Sequence, residues 1–250
     1  MKSLKQTRIG LGVVGLALLS FSSCKKEGNA NLNPESQITF SVKGDLTATS
    51  NSTNGVSLPT GTASATINWT EGTANVTKFE FEAKKGLVEK EIEVKGLTNI
   101  NLFAINPEVV KSVIDTGTYR EISLKLVLSK STNGTIPLAF KGTFAGTDGA
   151  TPVEISVNED LTLKVEVENV KIDAATDLKA TFVLGVNKIL QGIGVAELNV
   201  ATKTAGKVLI SNTSNTALYN KIKTNLQNIA AAKMESEHRS GKQEDGPGHG

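Results

Sequence analysis

Cys24, His238 and His249 are the residues of this 250-residue chain best equipped for nucleophilic, acid–base or metal chemistry, and their placement excludes most of it. Both histidines fall in the last 13 residues, so the body of the chain has no imidazole for a catalytic triad or a metal site. Cys24 is the only cysteine, which rules out an internal disulfide. Carboxylates remain. Asp173 and Asp177 stand four apart, a spacing compatible with paired acid–base work, but Ala174, Ala175 and Thr176 between them read as a polar turn. Asp148, Asn158, Glu159 and Asp160 offer oxygens of the kind Ca²⁺ takes, without the regular one-three-five spacing of a calcium loop. There is no Gly-x-Ser-x-Gly elbow and no phosphate loop, and Gly192-Ile193-Gly194 reads as a turn. Aromatics are 4% of the chain; Trp69, two residues from Ile67 on one strand face, suits core or rim packing better than sugar stacking. The arginines are Arg8, Arg120 and Arg239, too few for bidentate phosphate clamps, and a net charge of +2 offers no basic field, so nucleic acid is excluded as a partner. Lys84-Lys85 reads as ordinary solvated charge. The expectation is a chain with no catalytic residues, no cofactor and no metal, hence not an enzyme; a hydrolase using carboxylates alone is the weaker alternative.

The first 23 residues say where the chain goes. Lys2, Lys5 and Arg8 precede an apolar run from Ile9 to Phe21 that is too short for a bilayer span, the pattern of a secretory signal. The run ends in Leu19-Ser20-Phe21-Ser22-Ser23-Cys24, which resembles a bacterial lipoprotein box, with Phe21 in place of the usual aliphatic residue in a way similar to lipoproteins of Bacteroidota. The resemblance implies that Cys24 is lipidated, its thiol carrying a thioether-linked lipid and its amine a further acyl chain. Several chains anchor a protein stably where one does not. The partner so implied is a membrane, reached through the anchor at Cys24, and the location is the outer membrane, facing the periplasm or the cell surface. Lys25-Lys26-Glu27 is similar to the charged stretch that follows the lipid cysteine in surface-exported lipoproteins.

The rest of the chain divides by composition. Residues 24–36 form a polar tether. From Ile38, β-branched and alternating segments follow one another, the cleanest being Leu161, Leu163, Val165 and Val167 with polar residues between, and Ile122, Leu124, Leu126 and Leu128. Strands are predicted at 38–42, 63–69, 77–84, 90–95, 119–129, 136–144, 153–157, 161–172, 178–184 and 207–210, with a tight hairpin at Asp148-Gly149 and a surface loop over 51–62. Asn106 as cap, Pro107 at the first position and Val109, Val110 and Val113 before Gly117 predict a short helix. Leu218, Ile222, Leu226 and Ile229 predict an amphipathic one. Half-polar strands without β-α-β spacing give a mainly β fold: an antiparallel β-sandwich, immunoglobulin- or transthyretin-like, over residues 37–212, then a C-terminal amphipathic helix over 213–234 and a disordered tail over 235–250.

Gly117-Thr118-Tyr119, feeding an alternating strand and preceded by Gly96-Leu97-Thr98-Asn99-Ile100-Asn101-Leu102, resembles a family of bacterial lipoprotein domains known only as domain of unknown function 4382. The resemblance implies a sandwich over roughly residues 38–190 and brings no functional residues with it. Read physically, Gly117 serves a turn and Tyr119 packs with its hydroxyl at the rim. The function expected is that of a non-catalytic, lipid-anchored envelope protein whose sandwich binds a protein or glycan ligand not identified by the sequence. The alternative is a fimbrillin-like adhesin or pilus subunit. Such subunits donate a strand, and a chain ending in a helix and a polar tail is poorly made for that.

Overall fold

The computed structural model describes residues 35–46, 65–105, 108–174 and 176–238. Over the described residues the fold is mainly β, two sheets of largely antiparallel strands with few helices and no closed barrel, as the alternating segments predict. The smaller sheet contains β1 (Glu35–Asp45), β4 (Glu108–Asp115), β9 (Thr176–Gly185) and β12 (Ala230–His238) in the order β12-β9-β1-β4. Within it β1 runs parallel to β9 and antiparallel to β4.

The larger sheet is organised by β2 (Ile67–Lys85), which fuses two predicted strands into one of 19 residues. β3 (Val88–Asn101) returns along one edge of β2. Along the other edge lie β5 (Gly117–Leu128), opposite Lys78 to Lys84, and then β6 (Leu138–Gly146), opposite Ile67 to Ala74. β7 (Gly149–Val157) and β8 (Leu161–Ile172) border β6 and β5 in turn, so both outer ribbons are long strands broken once near the middle. That break is laced by polar side chains. Asp160 Oδ1 accepts the Lys130 N–H at 2.8 Å, Asn158 exchanges two bonds with the Ser131 backbone, and Asn75 Nδ2 donates to the Ile136 carbonyl at 2.7 Å. β10 (Lys203–Thr204) and β11 (Lys207–Ile210) extend the sheet beyond β7.

The buried alternation of β2 changes phase between Val76 and Phe79, and its two stretches meet different partners. In the second, Phe79 and Phe81 pack on Phe40 of the smaller sheet, ring centroids 5.4 and 4.7 Å apart. In the first, Trp69 stacks obliquely on Phe140 at 5.7 Å and donates its indole N–H to Asn187 Oδ1 at 2.9 Å. Asn187 belongs to a 3₁₀ turn, Val186–Leu190, which is followed by the short helix α1 (Val195–Asn199) and by α2 (Thr216–Leu226).

Two expectations are corrected. The segment predicted as a helix from Val109 to Val113 is strand β4. Its valines are β-branched, and pairing along β1, with Val110 opposite Phe40 and Ser112 opposite Ile38, outweighs the helix-start signal; Asn106 and Pro107 lie outside the described residues. The C-terminal helix does not run over 213–234. It stops at Leu226, burying Leu218, Ile222 and Leu226 as the stripe predicts, and the chain then forms β12 along β9 from Ala230↔Leu184 to His238↔Thr176. Residues 235–238 are therefore strand rather than tail, and 239–250 lie outside the described residues. Alanine favours helix intrinsically, but a free edge on β9 supplies backbone partners that an isolated helical turn lacks.

Candidate functional site

Each chemistry-bearing side chain singled out in the sequence has a structural occupation where it is described. Asp148 pairs with Lys203 at 3.4 Å, and Asn158 and Asp160 clamp the loop after β5. Glu159 accepts from the Tyr219 hydroxyl at 3.3 Å. Asp173 pairs with Lys171 at 2.9 Å and its carbonyl receives the Ser36 and Thr176 hydroxyls, while Asp177 Oδ1 receives the Gln37 N–H at 2.9 Å. The Asp177 carboxylate and the Asp173 backbone carbonyl thus hold the start of β1 against the start of β9, while the Asp173 carboxylate is taken by Lys171 of β8. No group of three or more His, Cys, Asp or Glu side chains suited to a metal ion occurs among the described residues. Gly192 sits in a turn with φ 73°, and the carbonyl of Ile193 receives the Ala65 N–H at 2.7 Å. Lys84 pairs with Glu121 at 2.8 Å. Cys24 lies outside the described residues.

The Gly117-Thr118-Tyr119 step carries the chain from one sheet to the other. Gly117 takes φ 133°, and Tyr119, 3% exposed, donates its hydroxyl to the Asp115 carbonyl at 2.8 Å. Burial, reinforced by Asp115, pushes the Tyr119 phenol up to about 12, and burial with Glu159 nearby does the same for Tyr219. Neither phenol supplies a phenolate near neutral pH.

Among the described residues, two surfaces stand out. One is the outer face of β3, β2, β5 and β8, a lattice of alternating charges. Glu80 at its centre is nearly buried and lies between Lys125, at 2.6 Å, and Lys78; hydrogen bonds from Lys125 and then Lys78 hold its carboxyl below the ordinary carboxylate range. Lys95–Glu93 at 2.8 Å and Lys164–Glu166 at 2.5 Å continue the lattice. The other surface is a cleft of about 440 Å³ where the last residues of β3 face Ala104 and, in β4, Val109. Leu97, Ile100, Ala104 and Val109 give it apolar walls, and Thr98 and Asn101 contribute polar groups. It exists because β3 carries an extra residue opposite Ala74 and Val76, with Asn99 in left-handed backbone (φ 54°) and its N–H donated to Asn75 Oδ1 at 2.8 Å. The sequence reading missed this cleft. The signal available was the run Gly96 to Asn101, where polar residues and a glycine interrupt an otherwise alternating strand.

No protein-family model, curated protein or solved structure matches this chain, so the resemblance drawn at Gly117-Thr118-Tyr119 rests on those residues and on Gly96 to Leu102 alone.

Proposed function

We propose that the protein is a non-catalytic, lipid-anchored envelope protein that holds a small ligand in the cleft beside β3. The anchoring half of the reading is supported by the lone cysteine at the end of a short apolar run. No helix among the described residues is long and apolar enough to cross a membrane. The binding half is carried by the cleft, whose volume and mostly apolar lining with a few polar groups suit a compact ligand with an apolar body and a polar end. An environment-sensitive apolar dye tests it. The dye should bind the full chain, and Ile100→Trp, which fills the cleft from a partly exposed position, should abolish binding without lowering the melting temperature. Equal dye binding by both proteins refutes the cleft as the site. Cys24→Ala tests the anchor. The variant should leave the detergent-extracted membrane fraction for the soluble or uncleaved pool, whereas a wild type that takes up no palmitate analogue is not a lipoprotein.

The fimbrillin-like alternative gains one observation. The chain does end its described part in a strand, β12, at a sheet edge, the kind of element a strand-donating subunit uses. In this structure β12 serves its own sheet. Polymers that survive detergent would favour that alternative; a monomer at all concentrations would remove it.

A further inference from the structure

Among the described residues, Leu87 and Val88 are the only two large apolar residues adjacent in sequence that are both exposed, Leu87 at 106% and Val88 at 62%. They form the tip of the β2–β3 hairpin, where Lys85 pairs with Val88 across a two-residue turn. Gly86, with φ 60°, satisfies the turn's demand for left-handed backbone at its first central position, which leaves the second free for any residue. Turns usually place polar groups there, and leucine contributes nothing to this one: its side chain packs on no part of the fold.

The position of the tip gives the leucine a partner. Lys85 Nζ donates to the Thr116 carbonyl at 2.8 Å, and the neighbouring Asp115 pairs with Glu35, the first described residue of the chain. The hairpin tip and the entry of the chain into the sandwich therefore share one end of the molecule. Glu35 lies eleven residues after Cys24. Fully extended, such a segment spans at most about 36 to 40 Å, so an anchored Cys24 keeps this end of the sandwich within that distance of the bilayer. The turn between β6 and β7, at Thr147 and Asp148, lies at the opposite end of β2.

From this juxtaposition, and resting on the reading of Cys24 as the lipid anchor, we infer that Leu87 and Val88 insert into the lipid headgroup region as a second contact with the membrane, fixing the sandwich upright on its tether. The contact is apolar rather than electrostatic. The neighbouring lysines are already engaged, Lys84 with Glu121, Lys85 with Thr116 and Lys90 with the Val113 carbonyl, and Glu89 offsets them locally. Binding should therefore not need anionic lipid.

The lone cysteine makes the test clean, because acylation of Cys24 leaves an introduced thiol as the only one free. Full-length protein carrying Leu87→Cys, or Thr147→Cys as the far-end reference, is labelled with a polarity-sensitive dye and reconstituted into phosphatidylcholine vesicles containing spin-labelled lipid. At Leu87 the emission should shift to the blue and be quenched by the lipid label several-fold more than at Thr147. If mass spectrometry shows acyl chains on Cys24 and the two dyes are equally wet, tip insertion is overturned and the anchor stands. If Cys24 carries no acyl chain and the protein floats free of vesicles, the anchor falls and the insertion with it.

Discussion

The two stretches of β2 solve the same problem, covering the buried face of one strand, in different ways. From Phe79 to Lys85 the cover is a second sheet, and the residues repeat with a period of two through Phe79, Phe81 and Ala83. From Ile67 to Val76 the cover is short helices and turns, and the strand needs a register shift between Trp69 and Glu71 to keep its apolar residues turned inward. The sheet-covered stretch draws its stability from apolar volume. The helix-covered stretch adds close backbone contacts and single polar bonds, and substitutions should separate the two.

The largest effect belongs to the sheet-covered side. Phe81 is fully buried against Phe40, and Phe81→Ala should cost about 3 to 5 kcal/mol, read as a lowered midpoint in denaturant unfolding. Gly142→Ala should cost about 1 to 3 kcal/mol on the other side, because an added Cβ would meet the Asn68 carbonyl oxygen and Ile67 Cγ2, each at 2.6 Å. Hydrogen exchange should then show protection lost around β6 and the 3₁₀ turn while β1 and β9 keep theirs; uniform loss would show that the two stretches unfold as one.

Asn187→Ala is a finer probe. It leaves the Trp69 indole N–H without its acceptor and the Leu46 carbonyl without its donor, at a cost of about 1 kcal/mol, with a red-shifted tryptophan emission as the spectroscopic mark. The smallest effect is on the charged face. Folding lowers the Glu80 carboxyl's proton affinity, so its contribution is fully present above the unfolded carboxylate range and is lost as pH falls through the folded value. Glu80→Gln should cost under about 1 kcal/mol at neutral pH, and the gap from wild type should close in acid. A gap that widens in acid would mean the sign is wrong.

Much of the sheet-covered region was legible in the sequence, because a half-buried strand shows its pleat as alternation. Ile122, Leu124, Leu126 and Leu128 are all buried as that pattern requires, though Val165 in the same grammar is only half-buried at the sheet's edge. β4 and β12 were not legible. Both are edge strands whose identity comes from the partner beside them, and Ala230-Ala231-Ala232 gives no local hint of β structure. The joining of residues 67–85 into one strand was hidden for a related reason, since its phase change reads in sequence as a break. The candidate site was less visible still. Its cleft depends on a bulge and on the approach of a segment outside β3, whereas the negative inferences about histidine, cysteine and arginine needed only counting.

The parallel register of β1 and β9 also bears on how the protein meets force. Under the proposed anchoring at Cys24, drag on anything held by the sandwich would reach the chain at Glu35, in line with β1. The bonds joining β1 to β9, from Ile38↔Leu178 to Asp45↔Gly185, are then strained together in shear rather than opened one after another, and those to β4 on the other side share the load. Of the two ways to attach a sheet to a cable, this is the one that resists tearing.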